Sequence, residues 1–171
     1  MVNNWNKRTP DNFKFAVKFP KVITHDKRLK DVAKDIERFY DVMEPLYDKI
    51  LVFLIQLPPS LEIAEGLDLI KSLQYLLDSF KYVIEVRHHS WFNELFYNYL
   101  KERNYCLVWS QQDTLITPPV LTSDFLYLRL IGDRSIDGHH LQIQRNKYCR
   151  CNITVILFGL ESIIDILLTC I

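Results

Sequence analysis

The run Ile50-Leu-Val-Phe-Leu-Ile-Gln-Leu57 is apolar almost without interruption and is stopped by Pro58-Pro59. A half-exposed strand alternates apolar and polar residues, whereas a run of this kind marks a strand covered on both faces. Such strands belong to parallel sheets packed between helices, and the flanking segments supply the helices. Residues 27–44 place Leu29, Val32, Ala33, Ile36, Phe39, Tyr40 and Met43 at helical spacing, opposite Lys30, Asp31, Lys34, Asp35 and Arg38. Residues 62–79 repeat the pattern with Ile63, Leu67, Ile70, Leu73, Leu76 and Leu77.

Further strands are predicted at Phe13–Phe19, 82–87, Cys106–Ser110 and Phe125–Ile131, with a third helix over 91–103 capped by Ser90. Strands alternating with amphipathic helices imply right-handed βαβ units and a parallel α/β fold. The segment 111–124 carries Pro118-Pro119 and reads as a loop crossover. Beyond it, Ile153–Phe158, Gly159 and Leu160–Ile171 read as one more strand and a helix. Glu161 and Asp165 inside the last run count against a membrane span.

At 171 residues, 49% hydrophobic and 25% charged, the chain has the composition of one soluble globular domain. Its 21 basic residues balance 21 acidic ones, so charge gives no signature of a nucleic-acid or membrane partner. Only four glycines are present, and no GxGxxG or Walker pattern occurs. Cys106 lies in an apolar strand, and Cys149-Arg-Cys151 lacks the CxxC spacing of zinc or redox sites. Residues 1–12 are polar and do not resemble a signal peptide, so a reduced, cytoplasmic setting is expected and the Asn152-Ile-Thr154 sequon is incidental.

In parallel α/β folds, sites form at the carboxyl ends of strands. The polar residues of this chain gather there: Lys18, Gln56, Glu85, Arg87, Trp109, Ser110 and Arg129. The loops beyond add Thr24, His25, His88, His89, Trp91, Asp133 and Arg134. Glu85 and Arg87 are two apart and share a face of their strand, where desolvation makes charges costly.

On a functional reading, Lys18, Arg87 and Arg129 form an electropositive floor suited to a carboxylate or phosphate. Glu85 or His25 is then the general acid or base, Gln56 orients the ligand, and His88, Trp91 and Trp109 line the site. The bland readings stand beside it. Glu85–Arg87 also fits a structural network, His25 a helix cap, the tryptophans core packing, and Lys18 a snorkelling side chain. No spacing fits a metal site and no cofactor is identified.

Four motifs carry a family resemblance: Phe13-Lys-Phe-Ala-Val-Lys-Phe-Pro-Lys-Val-Ile-Thr-His25, Gln56-Leu-Pro-Pro-Ser60, Glu85-Val-Arg-His-His-Ser-Trp91, and Tyr127-Leu-Arg129 followed by Gly132-Asp-Arg134. Occurring in this order, they resemble the YecE-like family, domain of unknown function 72, a TIM-barrel family with no established activity. The resemblance implies a (β/α)-barrel fold and places Lys18, His25, Gln56, Glu85, Arg87, His88, Trp91 and Arg129 at the barrel mouth. It supplies no reaction.

Family members have earlier strands before the segment at Thr9-Pro-Asp-Asn-Phe-Lys-Phe15 and an asparagine-rich motif later, and neither is found here. A complete barrel takes about 250 residues. The expectation is therefore an incomplete TIM barrel of five to six strands over 1–147, with a divergent hydrophobic tail at 148–171. Truncation at both ends would leave exposed edges open to self-association. Three functions follow as expectations: an enzyme for a small anionic or phosphorylated substrate, a non-catalytic binding module for such a ligand, or a non-functional fragment of a disrupted gene.

Overall fold

The structure, a computed structural model, describes residues 2–111 and 115–130, together with the strands at 153–158 and 169–170. The sequence-level readings for Asp133, Arg134, Cys149, Cys151, Asn152, Gly159 and residues 160–168 lie outside the described residues. In chain order the elements are α1 (Val2–Arg8), β1 (Phe15–Lys18), α2 (Ala33–Met43), β2 (Ile50–Gln56), α3 (Ile63–Lys71), β3 (Lys81–Glu85) and α4 (Glu94–Arg103). Then come β4 (Cys106–Leu107), β5 (Trp109–Gln111), β6 (Phe125–Leu130), β7 (Ile153–Phe158) and β8 (Thr169–Cys170).

Strands β1 to β4 form one sheet in sequence order, every pair parallel. Strands β5 to β8 form a second sheet, in which β5 and β6 are parallel and β7 and β8 are antiparallel to their neighbours. Only Val108 separates β4 from β5, and its N–H still donates to Ile84 O at 3.0 Å, so the two sheets follow one another without a break in direction. Helices between successive parallel strands cover the outer face, which gives the parallel α/β architecture expected. Among the described residues the ring of strands is not closed, and β7 departs from the all-parallel pattern of a barrel.

Two cores occupy the two faces of the strands. On the helix-covered face, Phe53 packs edge-on against Phe19, Phe39, Tyr40 and Phe80 at 5.0–5.9 Å and stacks on Tyr82 at 5.9 Å. Aromatic pairs in such geometry add ~0.5–1.5 kcal/mol each beyond burial of their area. Buried between these rings, the Tyr40 and Tyr82 hydroxyls share a hydrogen bond of 2.7 Å, which spares both oxygens an unmet desolvation cost. The opposite face holds Val52, Leu54, Val83, Cys106, Val108, Phe125 and Tyr127, with Ala16 packed against them. This second cluster fixes the phase of every strand and therefore which residues reach the site.

Four element readings need correction. The run Leu160–Ile171 is read as a helix, but its described residues Thr169–Cys170 form β8, antiparallel to β7. The segment 27–32 is not helical: α2 begins at Ala33, and Arg28, Leu29 and Asp31 all have positive φ. Leu29 and Val32 are buried nonetheless, so helical spacing there reported burial rather than backbone conformation. The second helix ends at Lys71 instead of 79, although Leu73 remains buried in the following turn. Ser90 does not cap the third helix. Asn93 does, accepting from Phe96 N at 3.1 Å, while Ser90 Oγ accepts from Ile63 N at 3.0 Å at the start of α3. Residues 2–8, read only as a polar segment, form α1. Its carboxyl end is held by buried Lys49, whose Nζ donates to Asn6 O and Thr9 O at 3.0 Å each. No helix among the described residues is long and apolar enough to cross a membrane.

Candidate functional site

Period-two alternation carries the inner apolar cluster into a polar layer at the carboxyl end of the strands. Two residues beyond Ala16 stands Lys18, beyond Leu54 Gln56, beyond Val83 Glu85, beyond Val108 Ser110, and beyond Tyr127 Arg129. Register sets Gln56 level with Glu85 and Ser110 level with Arg129, while Lys18 is level with Leu54 and reaches Gln56 by its long side chain. The layer is thus a consequence of sheet geometry, not of sequence proximity.

Glu85 is its centre and has no exposed surface. Oε2 accepts from Gln56 Nε2 at 2.9 Å and from Arg129 Nη1 at 2.5 Å. Oε1 lies 2.5 Å from Arg87 Nη2 in an ion pair. Gln56 Oε1 in turn accepts from Lys18 Nζ at 2.6 Å. These partners fix the amide orientation of Gln56, with its oxygen toward the ammonium and its nitrogen toward the carboxylate. A buried carboxylate would be strongly disfavoured alone, and two guanidinium groups offset that cost.

Among the described residues of this cluster, positive charges outnumber negative ones. Lys18, Arg87 and Arg129 face the single carboxylate of Glu85. Burial pulls the Lys18 ammonium below its ordinary pKa; Glu85 opposes this, and Arg129 and Arg87 add to it. Arg87 is lowered by burial first and by Arg129 as well, against the pull of Glu85.

His25 stands in the π-helical turn Val22–Asp26 that follows β1. Its pKa is lowered by burial and then by Lys18, Lys21 and Arg87, with Asp26 opposing, so the imidazole is within the field of the cationic cluster. Nδ1 shares a 2.7 Å hydrogen bond with the buried Thr24 hydroxyl. It caps no helix, because the N-cap of α2 is Val32 and no side chain bonds there.

The remaining candidates lie elsewhere. His88 Nδ1 accepts from Ser90 N at 3.3 Å and bonds Ser90 Oγ at 2.9 Å, which places the proton of the neutral ring on Nε2, 3.8 Å from Glu62. His88 therefore orders the loop that caps α3. Trp91 is fully buried, donates to Leu61 O at 2.7 Å and packs on Phe96, so it offers no open face to a ligand. Trp109 is one residue out of phase with Ser110, and its indole donates to Val120 O at 3.0 Å. Strand parity separates it from the polar layer. Ser110 belongs to the layer by register but is buried, with its hydroxyl 3.2 Å from Thr117 Oγ1.

One contributor had no signal in the sequence. Arg28 donates to Ser60 Oγ at 2.7 Å and Ser60 O at 3.0 Å, and pairs with Glu65 at 2.6 Å. It ties the left-handed stretch after β1 to the loop after β2, both at the carboxyl end of the sheet. Nothing in the spacing of residues 32 apart announces such a contact.

The family described as protein of unknown function DUF72 matches residues 1–152. The UPF0759 protein YecE of Escherichia coli K12 is 34% identical over 96 residues, covering 54% of this chain and 34% of that protein. A crystal structure of a DUF72 family protein from Thermotoga maritima superposes with a TM-score of 0.64 at 30% identity, covering 75% of this chain and 53% of that one. One from Enterococcus faecalis gives a TM-score of 0.65 at 24% identity, covering 79% and 61%. The chain thus spans about a third of the curated relative it matches and 53–61% of these two solved structures. With a family match over most of its length, this chain belongs to the DUF72 family, an uncharacterised family that includes YecE.

Proposed function

We propose that the polar layer at the carboxyl end of the strands is a binding site for a small anionic or phosphorylated ligand. One observation carries the reading: three cationic side chains, Lys18, Arg87 and Arg129, are arranged around one fully buried carboxylate, Glu85. A structural ion pair needs one cation for one carboxylate. Among the described residues the surplus is positive, and it stands where parallel α/β folds hold ligands. Guanidinium groups match carboxylate and phosphate oxygens with paired donors, and a lysine adds a point charge.

Glu85 organises this site rather than exchanging protons with a ligand, because it has no exposed surface and both oxygens face protein cations or donors. Among the described residues, His25 is the group left for general acid–base work. A depressed pKa leaves its imidazole neutral near pH 7, the form needed in a base. Binding without turnover needs only the cations; turnover needs His25 as well.

The test is a thermal-shift screen of the chain against phosphate esters, carboxylates and neutral sugars, followed by recovery of each stabilising compound. Stabilisation by anions and not by neutral analogues supports the site. A recovered ligand that is chemically altered adds catalysis, and one recovered intact in every case limits the site to binding. Equal response to neutral compounds contradicts the reading.

A further inference from the structure

We infer that Thr24 is a positioning residue for His25: its buried hydroxyl holds the imidazole with the proton on Nδ1 and so leaves the Nε2 lone pair to act as the base of the site. The inference rests on the reading of the polar layer given above, in which His25 is the acid–base group, and deepens it. Thr24 and His25 are neighbours in the π-helical turn Val22–Asp26, which Lys27 N closes by donating to Val22 O at 3.0 Å. Turns of this kind are rare and recur at functional sites. This one leaves Thr24 with no exposed surface and His25 half-buried beside it.

The Thr24 hydroxyl meets two partners among the described residues, Nδ1 of His25 at 2.7 Å and Pro20 O at 3.5 Å. A carbonyl only accepts, and a hydroxyl has one proton to give. If that proton goes to Pro20 O, the hydroxyl accepts from Nδ1–H and both contacts are hydrogen bonds. If it goes to Nδ1, the hydroxyl is a donor alone and its contact with Pro20 O is lost. Pro20 O keeps its bond from Ile23 N at 3.0 Å in either case. The first arrangement makes one more bond at a buried group, and the bond at Nδ1 sets the tautomer of the whole ring. Nε2 has no hydrogen-bond partner among the described residues, and the charged groups facing the ring are Lys18, Lys21, Asp26 and Arg87. With Nδ1 committed to a buried hydroxyl, Nε2 is the nitrogen that takes a proton from a ligand held by the cations.

The experiment is a long-range proton–nitrogen NMR correlation of the histidine rings at about pH 8, where the imidazole is neutral, with His25→Gln used to assign the signals. In the wild-type chain Nδ1 of His25 is expected at the protonated nitrogen frequency and Nε2 at the unprotonated one. Thr24→Val, close in shape but without the hydroxyl, is expected to lose that pattern in favour of the Nε2–H form, and Thr24→Ser to restore it. The wild-type spectrum needs no variant, so the tautomer is tested even if Thr24→Val fails to fold. A wild-type ring protonated on Nε2, or a Thr24→Val ring unchanged from wild type, would overturn the assignment. Inorganic phosphate added to the wild type reads the underlying site separately, and a shift of the Nε2 signal is expected. With the Nδ1–H form present and no response to phosphate, the role of Nε2 as base falls together with the anion-binding reading, while the hold of Thr24 on the ring stands.

Discussion

Arg129 on β6 donates to Glu85 on β3 across 44 residues of sequence, at 2.5 Å from a carboxylate with no exposed surface. The contact exists because both residues continue the same apolar face two positions past Tyr127 and Val83. Sheet phase, burial and charge meet in this pair.

Glu85→Gln removes the one carboxylate that the described residues place in the layer and takes the shared anionic partner from Arg87 and Arg129. The Arg side chains keep 21% and 17% of their exposure, so the loss belongs at or below the lower end of the ~3–5 kcal/mol typical of an uncompensated buried charge. Urea unfolding measures it. Adding Arg129→Met to Glu85→Gln is expected to recover part of the loss, and strict additivity in that cycle would count against the coupling.

His25 provides a pH signature. Its folded pKa lies below the ordinary 6.5, through burial first and the Lys18, Lys21 and Arg87 charges next. The unfolded chain therefore takes up the proton first as pH falls. The contribution of His25 to stability is full above about 6.5 and declines as pH drops through the folded value. An NMR titration of the imidazole should give a midpoint below 6.5, and Lys18→Gln should move it upward. A midpoint at or above 6.5 would contradict this placement.

Gly66 on α3 is occupied by its neighbours. A Cβ there would stand 2.5 and 2.7 Å from the Trp91 ring, which is fully buried and held by its bond to Leu61 O. Helix propensity alone would make Gly66→Ala stabilising by ~0.8–1 kcal/mol. Overpacking outweighs this at ~1–3 kcal/mol or more, so a net loss of stability is expected in urea unfolding. A gain would show that the Trp91 pocket is looser than described.

Asn93 caps α4 through Phe96 N and also donates to Ser90 O at 2.7 Å. Asn93→Ala is expected to cost ~0.5–2 kcal/mol, measured by the same unfolding. Ser90→Ala acts at a different place, freeing Ile63 N at the start of α3 and removing a partner of His88.

What was legible in the sequence follows from what periodicity reports. Alternation along strands puts Lys18, Gln56, Glu85, Arg87 and Arg129 toward one end of the sheet, because strand direction and phase fix that end. The same rule separates Trp109 from Ser110 by one residue of parity, a distinction that demands the register with β6. Trp91 lies past the strand in a 3-10 turn, where no periodicity points its side chain. Helical spacing over 27–32 marked Leu29 and Val32 as buried, yet the backbone there turns through positive φ and is pinned by Arg28 to Ser60. Apolar spacing encodes which residues are buried; the path of a loop between elements depends on contacts that the local sequence does not contain.

The most direct test of the anion site is the melting temperature as a function of inorganic phosphate, with ionic strength held constant by chloride, for the wild-type chain and Lys18→Gln. A ligand that binds only the folded state raises the melting temperature with the logarithm of its concentration. The wild type is expected to rise steadily with phosphate, and Lys18→Gln to respond markedly less. Parallel responses in the two proteins, or no response beyond that of chloride, would contradict the claim that Lys18, Arg87 and Arg129 form an anion-binding site around Glu85.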